Sequence, residues 1–96
     1  MLDWDEAKRR SNLRKHGVDF ADVSALFGRG ENVVYEHRRK DYSERRYVLL
    51  GRLGPTVLYV AYTLRGDVIR IISARRASRP ERQQHERAQA DQGAPH

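Results

Sequence analysis

The chain contains no cysteine. That excludes disulfides, thiolate zinc sites and a cysteine nucleophile. It also has no long apolar run: the longest mostly apolar stretch, Val57 to Leu64, is far too short to span a bilayer. The N-terminus, Met1-Leu2-Asp3-Trp4-Asp5, is acidic and lacks the apolar segment of a signal peptide. A soluble, cytoplasmic protein without membrane attachment is expected. No P-loop, dinucleotide fingerprint, Ser-His-Asp arrangement or metal-type His–carboxylate spacing is present, so no cofactor or metal is expected. Arg65-Gly66-Asp67 matches an adhesion tripeptide, but in its context it reads as a hairpin turn.

Negative charge is in short supply. Nineteen Lys and Arg stand against 13 Asp and Glu, a formal net charge of +6 with a pI of about 10.2. Such a balance suits a polyanion such as nucleic acid, or an acidic protein partner. The 96 residues allow one domain with one modest core, and 39% hydrophobic residues can fill it. We place that domain at residues 1–88 and expect a frayed tail over 89–96.

The hydrophobic spacing predicts an α+β domain in the order α-α-β-β-β-β-α. A first helix covers Asp5 to His16, with carboxylates near its start, Lys15 and His16 in its last turn, and Gly17 as C-cap. Its apolar residues form no clean stripe, so it is peripheral, anchored by Trp4. Asp19 caps a second helix, in which Phe20, Val23 and Phe27 recur at i, i+3 and i+7; Gly28 and Gly30 end it. The period then changes. Val33 to His37, Tyr47 to Arg52, Val57 to Thr63 and Val68 to Ala74 read as four strands of an antiparallel meander, the last two central because both their faces are apolar. Ser78-Arg79-Pro80-Glu81 is a capping box that opens a third helix. That helix has few apolar residues and needs the sheet or a partner to hold it.

The fourth strand carries the most information. Arg70 interrupts its apolar run, and Arg75 and Arg76 sit at its end. Simple alternation puts Arg70 and Arg76 on one face and Arg75 on the other. Arginine forks suit phosphate oxygens; the alternative is ion pairing to carboxylates on the helices. Tyr59 and Tyr62 fall on opposite faces of the third strand, Tyr59 as ordinary packing and Tyr62 open as a stacking platform for a base. Lys8, Arg9, Arg10, Arg14, Lys15 and His16 make the first helix basic all round, either an RNA platform or a solvated surface. The polar loop offers Glu36, His37, Arg38, Arg39, Lys40, Asp41, Glu44, Arg45 and Arg46, a mixture of acid–base groups and phosphate binders.

Three groups of residues together resemble the BrnT family of toxins. The first is Trp4-Asp5, Asn12, Lys15-His16-Gly17-Val18 and Phe20. The second is Arg46-Tyr47 with Gly51-Arg52. The third is Tyr62-Thr63, Arg65-Gly66-Asp67, Arg70 to Ala77, and Glu81. The resemblance spans about residues 2 to 86. It implies a RelE-like ribonuclease fold and the role of toxin in a type II toxin–antitoxin pair. It also implies translation inhibited by RNA cleavage, and a BrnA-like antitoxin that neutralises the toxin. The complex would repress its own operon through the antitoxin's DNA-binding domain, as a heterotetramer, with a homodimer conceivable for the free toxin. Such chemistry needs no metal: the ribose 2′-OH attacks the adjacent phosphate in line. On this reading Arg70, Arg75 and Arg76 stabilise charge, and Lys15, His16 and Glu44 are the proton-transfer candidates. Lys8, Arg14, Arg45, Arg46 and Tyr62 bind RNA. The alternative is a non-catalytic subunit that binds the antitoxin or nucleic acid. A direct DNA-binding repressor ranks below both, because the second helix is apolar and acidic.

Overall fold

A computed structural model describes residues 1–39 and 43–93. The chain begins with a strand, β1 (Leu2–Trp4), that three residues with a central acid do not announce. Helix α1 (Glu6–His16) follows. Asp5 is its N-cap rather than its first residue: the carboxylate accepts the Lys8 N–H at 3.1 Å. Gly17 ends the helix in the left-handed region at φ 71°, its N–H returning to the Leu13 carbonyl.

Asp19 caps α2 (Phe20–Val23) by accepting the Ala21 N–H. The expected longer helix through Phe27 is shorter. The chain tightens into a 3-10 turn over Ser24–Leu26 and is extended at Phe27. There the Asn32 amide takes the Leu26 carbonyl at 2.6 Å, satisfying a group that a continuing helix would have used.

Strands β2 (Val33–His37), β3 (Arg46–Leu53), β4 (Thr56–Arg65) and β5 (Val68–Arg76) form the expected antiparallel meander. The sheet is nevertheless five-stranded and mixed, in the order β1-β5-β4-β3-β2, because β1 joins β5 in parallel. This corrects the expectation of four antiparallel strands. Strand β1 extends only along Ile69 to Ile71. Beyond it, the Asn12 amide closes the β5 edge: it donates to the Ala74 carbonyl at 2.8 Å and accepts the Ala74 N–H at 3.1 Å.

One sheet face carries the main core. Phe20, Val23 and Leu26 pack there on Leu49, Leu58, Val60, Tyr62, Ile71 and Ala74. Trp4 meets Phe20 edge to face. Helix α3 (Arg79–Gly93) packs against β3 and β4. It starts at the Ser78–Glu81 capping box, in which Ser78 N donates to Glu81 Oε1 at 2.7 Å. It continues past Gln89, where the sequence suggested a tail. His85 is only 2% exposed, with Nε2 3.0 Å from the Glu31 carbonyl, and Gln89 donates to that same carbonyl.

A bulge in β5 changes what the arginines face. Ala61 pairs with Ser73 while its neighbour Tyr62 pairs with Ile71, so Ile72 is passed over. The alternation reading of β5 is thereby corrected. Arg70, opposite Thr63, and Arg75, opposite Tyr59, share the face away from the main core; Arg76, opposite Leu58, lies on the core side.

Candidate functional site

The β2 and β3 ends that flank the polar loop border a surface depression of about 540 Å3. Glu36, His37, Arg38, Arg39, Ser43, Glu44, Arg45 and Arg46 line it. Pairing explains the gathering. Strand register sets His37 directly opposite Arg46, and the segment leading into β3 supplies Glu44 and Arg45. Thr63 anchors that segment by donating its hydroxyl to the Arg45 carbonyl at 2.7 Å. Thr63 also faces Arg70 on the next strand, so Arg70 borders the same region of the sheet. Glu44 is half-buried and lies 3.5 Å from Arg65. Lys40 and Asp41 of the loop lie outside the described residues.

Three of the expected site residues, Glu44, Arg45 and Arg46, thus meet in one place, with Arg70 near it. The other two arginines of β5 do not join them. Arg70 itself is ion-paired to Asp3 at 2.8 Å, through the parallel register of β1. Arg75 grips Glu81 with both fork nitrogens, at 2.8 and 3.0 Å, and lies 3.8 Å above the Tyr59 ring centroid. Burial acts to raise the Glu81 pKa, but the hydrogen bonds from Arg75 and Ser78 outweigh it and hold the carboxyl below its ordinary value. The same bond holds the Arg75 guanidinium above its ordinary value. Arg76 projects into a separate depression with Asp19 and Asp22.

Lys8, Lys15 and His16 are exposed on α1 and line a third depression with Ser11, Asn12, Ile72 and Ser73, at the β5 edge. Arg14 is exposed on the same helix. These groups sit around the sheet's rim, apart from Glu44 and Arg46.

Tyr62 corrects an expectation. It is 7% exposed, stacked on Tyr47 and edge-on to Phe27, with its hydroxyl pKa raised by burial. A ring packed in the core is not a base platform. Tyr59, read as packing, is the tyrosine beneath an arginine. His37, absent from the expected site set, also lines the β2–β3 depression. The sequence offers it only as one of the loop's acid–base groups, and the strand register sets it opposite Arg46.

Among the described residues, no three His, Asp or Glu side chains cluster so as to hold a metal ion, and no helix is long and apolar enough to cross a membrane. The family described as "Ribonuclease toxin, BrnT, of type II toxin-antitoxin system" matches residues 4–81. No individual curated protein matches the chain significantly. The matched span runs from the last residue of β1 through β5 to the start of α3, with the whole depression and the Arg75–Glu81 pair, and the chain therefore belongs to the BrnT family of ribonuclease toxins.

Proposed function

We propose that the chain is a metal-independent endoribonuclease that cleaves RNA at the depression between β2 and β3. The observation that carries this reading is the lining: an imidazole, two carboxylates and four guanidiniums converge there. RNA transesterification asks for those groups. The 2′-oxygen forms a bond to phosphorus as the bond to the 5′-oxygen breaks. One group takes the 2′-OH proton and another gives a proton to the departing 5′-oxygen. His37 and Glu44 are the pair for these transfers. Arg46 and Arg70 stabilise the charge that builds on the phosphate oxygens. Lys8, Arg14, Lys15 and His16 extend the basic surface and hold flanking RNA by charge alone. Arg75, already gripped by Glu81, supports the sheet and α3 rather than reaching for phosphate.

A toxin of a type II system works against an antitoxin. By the family resemblance, that partner is BrnA-like and carries the DNA-binding domain through which the complex represses its operon.

The test is purified protein with total RNA in EDTA, wild type beside His37→Ala, Arg46→Ala and Arg70→Ala. Wild-type cleavage that survives chelation is expected, with losses of about 100-fold or more in each variant. Full cleavage in His37→Ala would remove the site from this depression. A second reading has its own observation. The Arg70–Asp3 and Arg75–Glu81 pairs neutralise both β5 arginines of the open face, as suits a binding subunit without catalysis. Wild-type protein that binds RNA and never cuts it, with or without ribosomes, would establish that reading.

A further inference from the structure

The two edges of the sheet are treated differently. At one edge β1 is only three residues long, and past it the Asn12 side chain occupies the backbone groups of Ala74. At the other, β2 is the last strand and nothing among the described residues pairs with its outer side. Edge strands left open are ordinarily blunted by Pro, Lys, a bulge or a cover, because unpaired N–H and C=O groups recruit another strand. The stretch Val33-Val34-Tyr35-Glu36-His37 has no Pro, Lys or bulge, and no strand among the described residues covers it. Its register with β3 is unbroken over all five pairs. Val33, Val34 and Tyr35 favour extended structure, and Val34 is 52% exposed.

Charge brackets this edge. Arg29 donates to the Arg52 carbonyl ahead of the start of β2, and just past its end Arg38, 3.5 Å from Glu36, and Arg39 are exposed. A second copy of a chain with net charge +6 would bring like charges together there.

We propose that the outer edge of β2 is the docking site for the antitoxin, through an extended segment with an apolar centre over Val34 and acidic residues at both ends, added as a further strand. The proposal rests on the toxin–antitoxin partnership of the family. Backbone pairing supplies the affinity and the flanking arginines supply direction and selectivity. The added strand would run beside Glu36 and His37, along the rim of the proposed catalytic depression, so docking would also narrow the approach of RNA.

The experiment measures the cognate antitoxin binding to wild-type toxin and to Val34→Glu, with amide hydrogen exchange on the free toxin and on the complex. Val34 is exposed and outside the proposed catalytic set, so the variant keeps its melting temperature and its RNA cleavage. Its affinity for the antitoxin is expected to fall at least tenfold, and alternate amides of residues 33–37 slow only in the wild-type complex. Unchanged affinity would overturn the proposal, as would β2 amides that exchange as fast in the complex as in the free toxin. Concentration-dependent protection in the free toxin, lost in Val34→Glu, would assign the edge to a second copy and overturn it too. A protein that binds antitoxin in this way yet cuts no RNA would sink the catalytic reading and leave the docking edge standing.

Discussion

Tyr59 and Tyr62 stand three residues apart on one strand and have opposite surroundings. Tyr62 is enclosed with Phe27 and Tyr47 on the side of the main core, where Phe20, Val23 and Leu26 cover the sheet. Tyr59 lies under Arg75, which is tied to Glu81 at the start of α3. The core face is closed by apolar volume. The other face combines the buried Val48 and Leu50 with ion pairs and side-chain hydrogen bonds, and its far end near the β2–β3 loop carries His37, Arg46 and Arg70. Closure by packing leaves no room for a substrate, whereas the polar end of the second face opens at the β2–β3 depression. On the proposed site, stability and chemistry should therefore be separable.

The separation can be broken experimentally. Phe20→Ala removes a wholly buried ring and should cost about 3–5 kcal/mol in urea unfolding. The fraction that stays folded in the cold should still cleave RNA. His37→Ala should do the reverse, with full stability and lost cleavage. If both variants lose both properties together, the two faces are not independent. Asn12→Ala comes next. Asn12 makes hydrogen bonds to Val18 and to both backbone groups of Ala74. Its loss strands buried polar groups at a cost of about 2–3 kcal/mol, read from the same unfolding curves.

Smaller effects sharpen the polar side. Arg75→Lys keeps the charge but loses the fork and weakens the ring contact, for about 1 kcal/mol. Because Glu81 is held below its ordinary value of 4.5 in the folded state, its stabilisation is complete above that value and is lost as the pH falls through the folded one. Unfolding midpoints should thus drop on acidification below about pH 4.5, and less steeply in Glu81→Gln. Asp5 and Asp19, both lowered chiefly by backbone hydrogen bonds at their helix starts, supply part of the remaining slope. His16→Ala should change stability by less than about 0.5 kcal/mol, since the side chain is exposed. A larger loss would show that the C-terminal turn of α1 does more than present charge.

The residues alone determined a good deal. Period two and period 3.6 are local properties of the chain, so the α+β class, the four-strand meander, the caps at Asp19 and Gly17 and the Ser78–Glu81 box were all legible. So was the family, through short motifs spaced along the chain. The clustering of Glu44, Arg45 and Arg46 was also readable, being local to one loop. Tertiary structure alone decided the rest. Strand β1 exists only because β5 offers it a parallel edge 67 positions away, the separation of Asp3 and Arg70. A single bulge at Ile72, invisible to alternation, moved Arg70 onto the face of Arg75. His37 and Tyr59 acquired their meaning from the arginines placed opposite them, and Tyr62 lost its expected role to a helix turn that closed over it. Local spacing says which way a side chain points only until the register shifts, and register is set by long-range pairing that no short window of the chain contains.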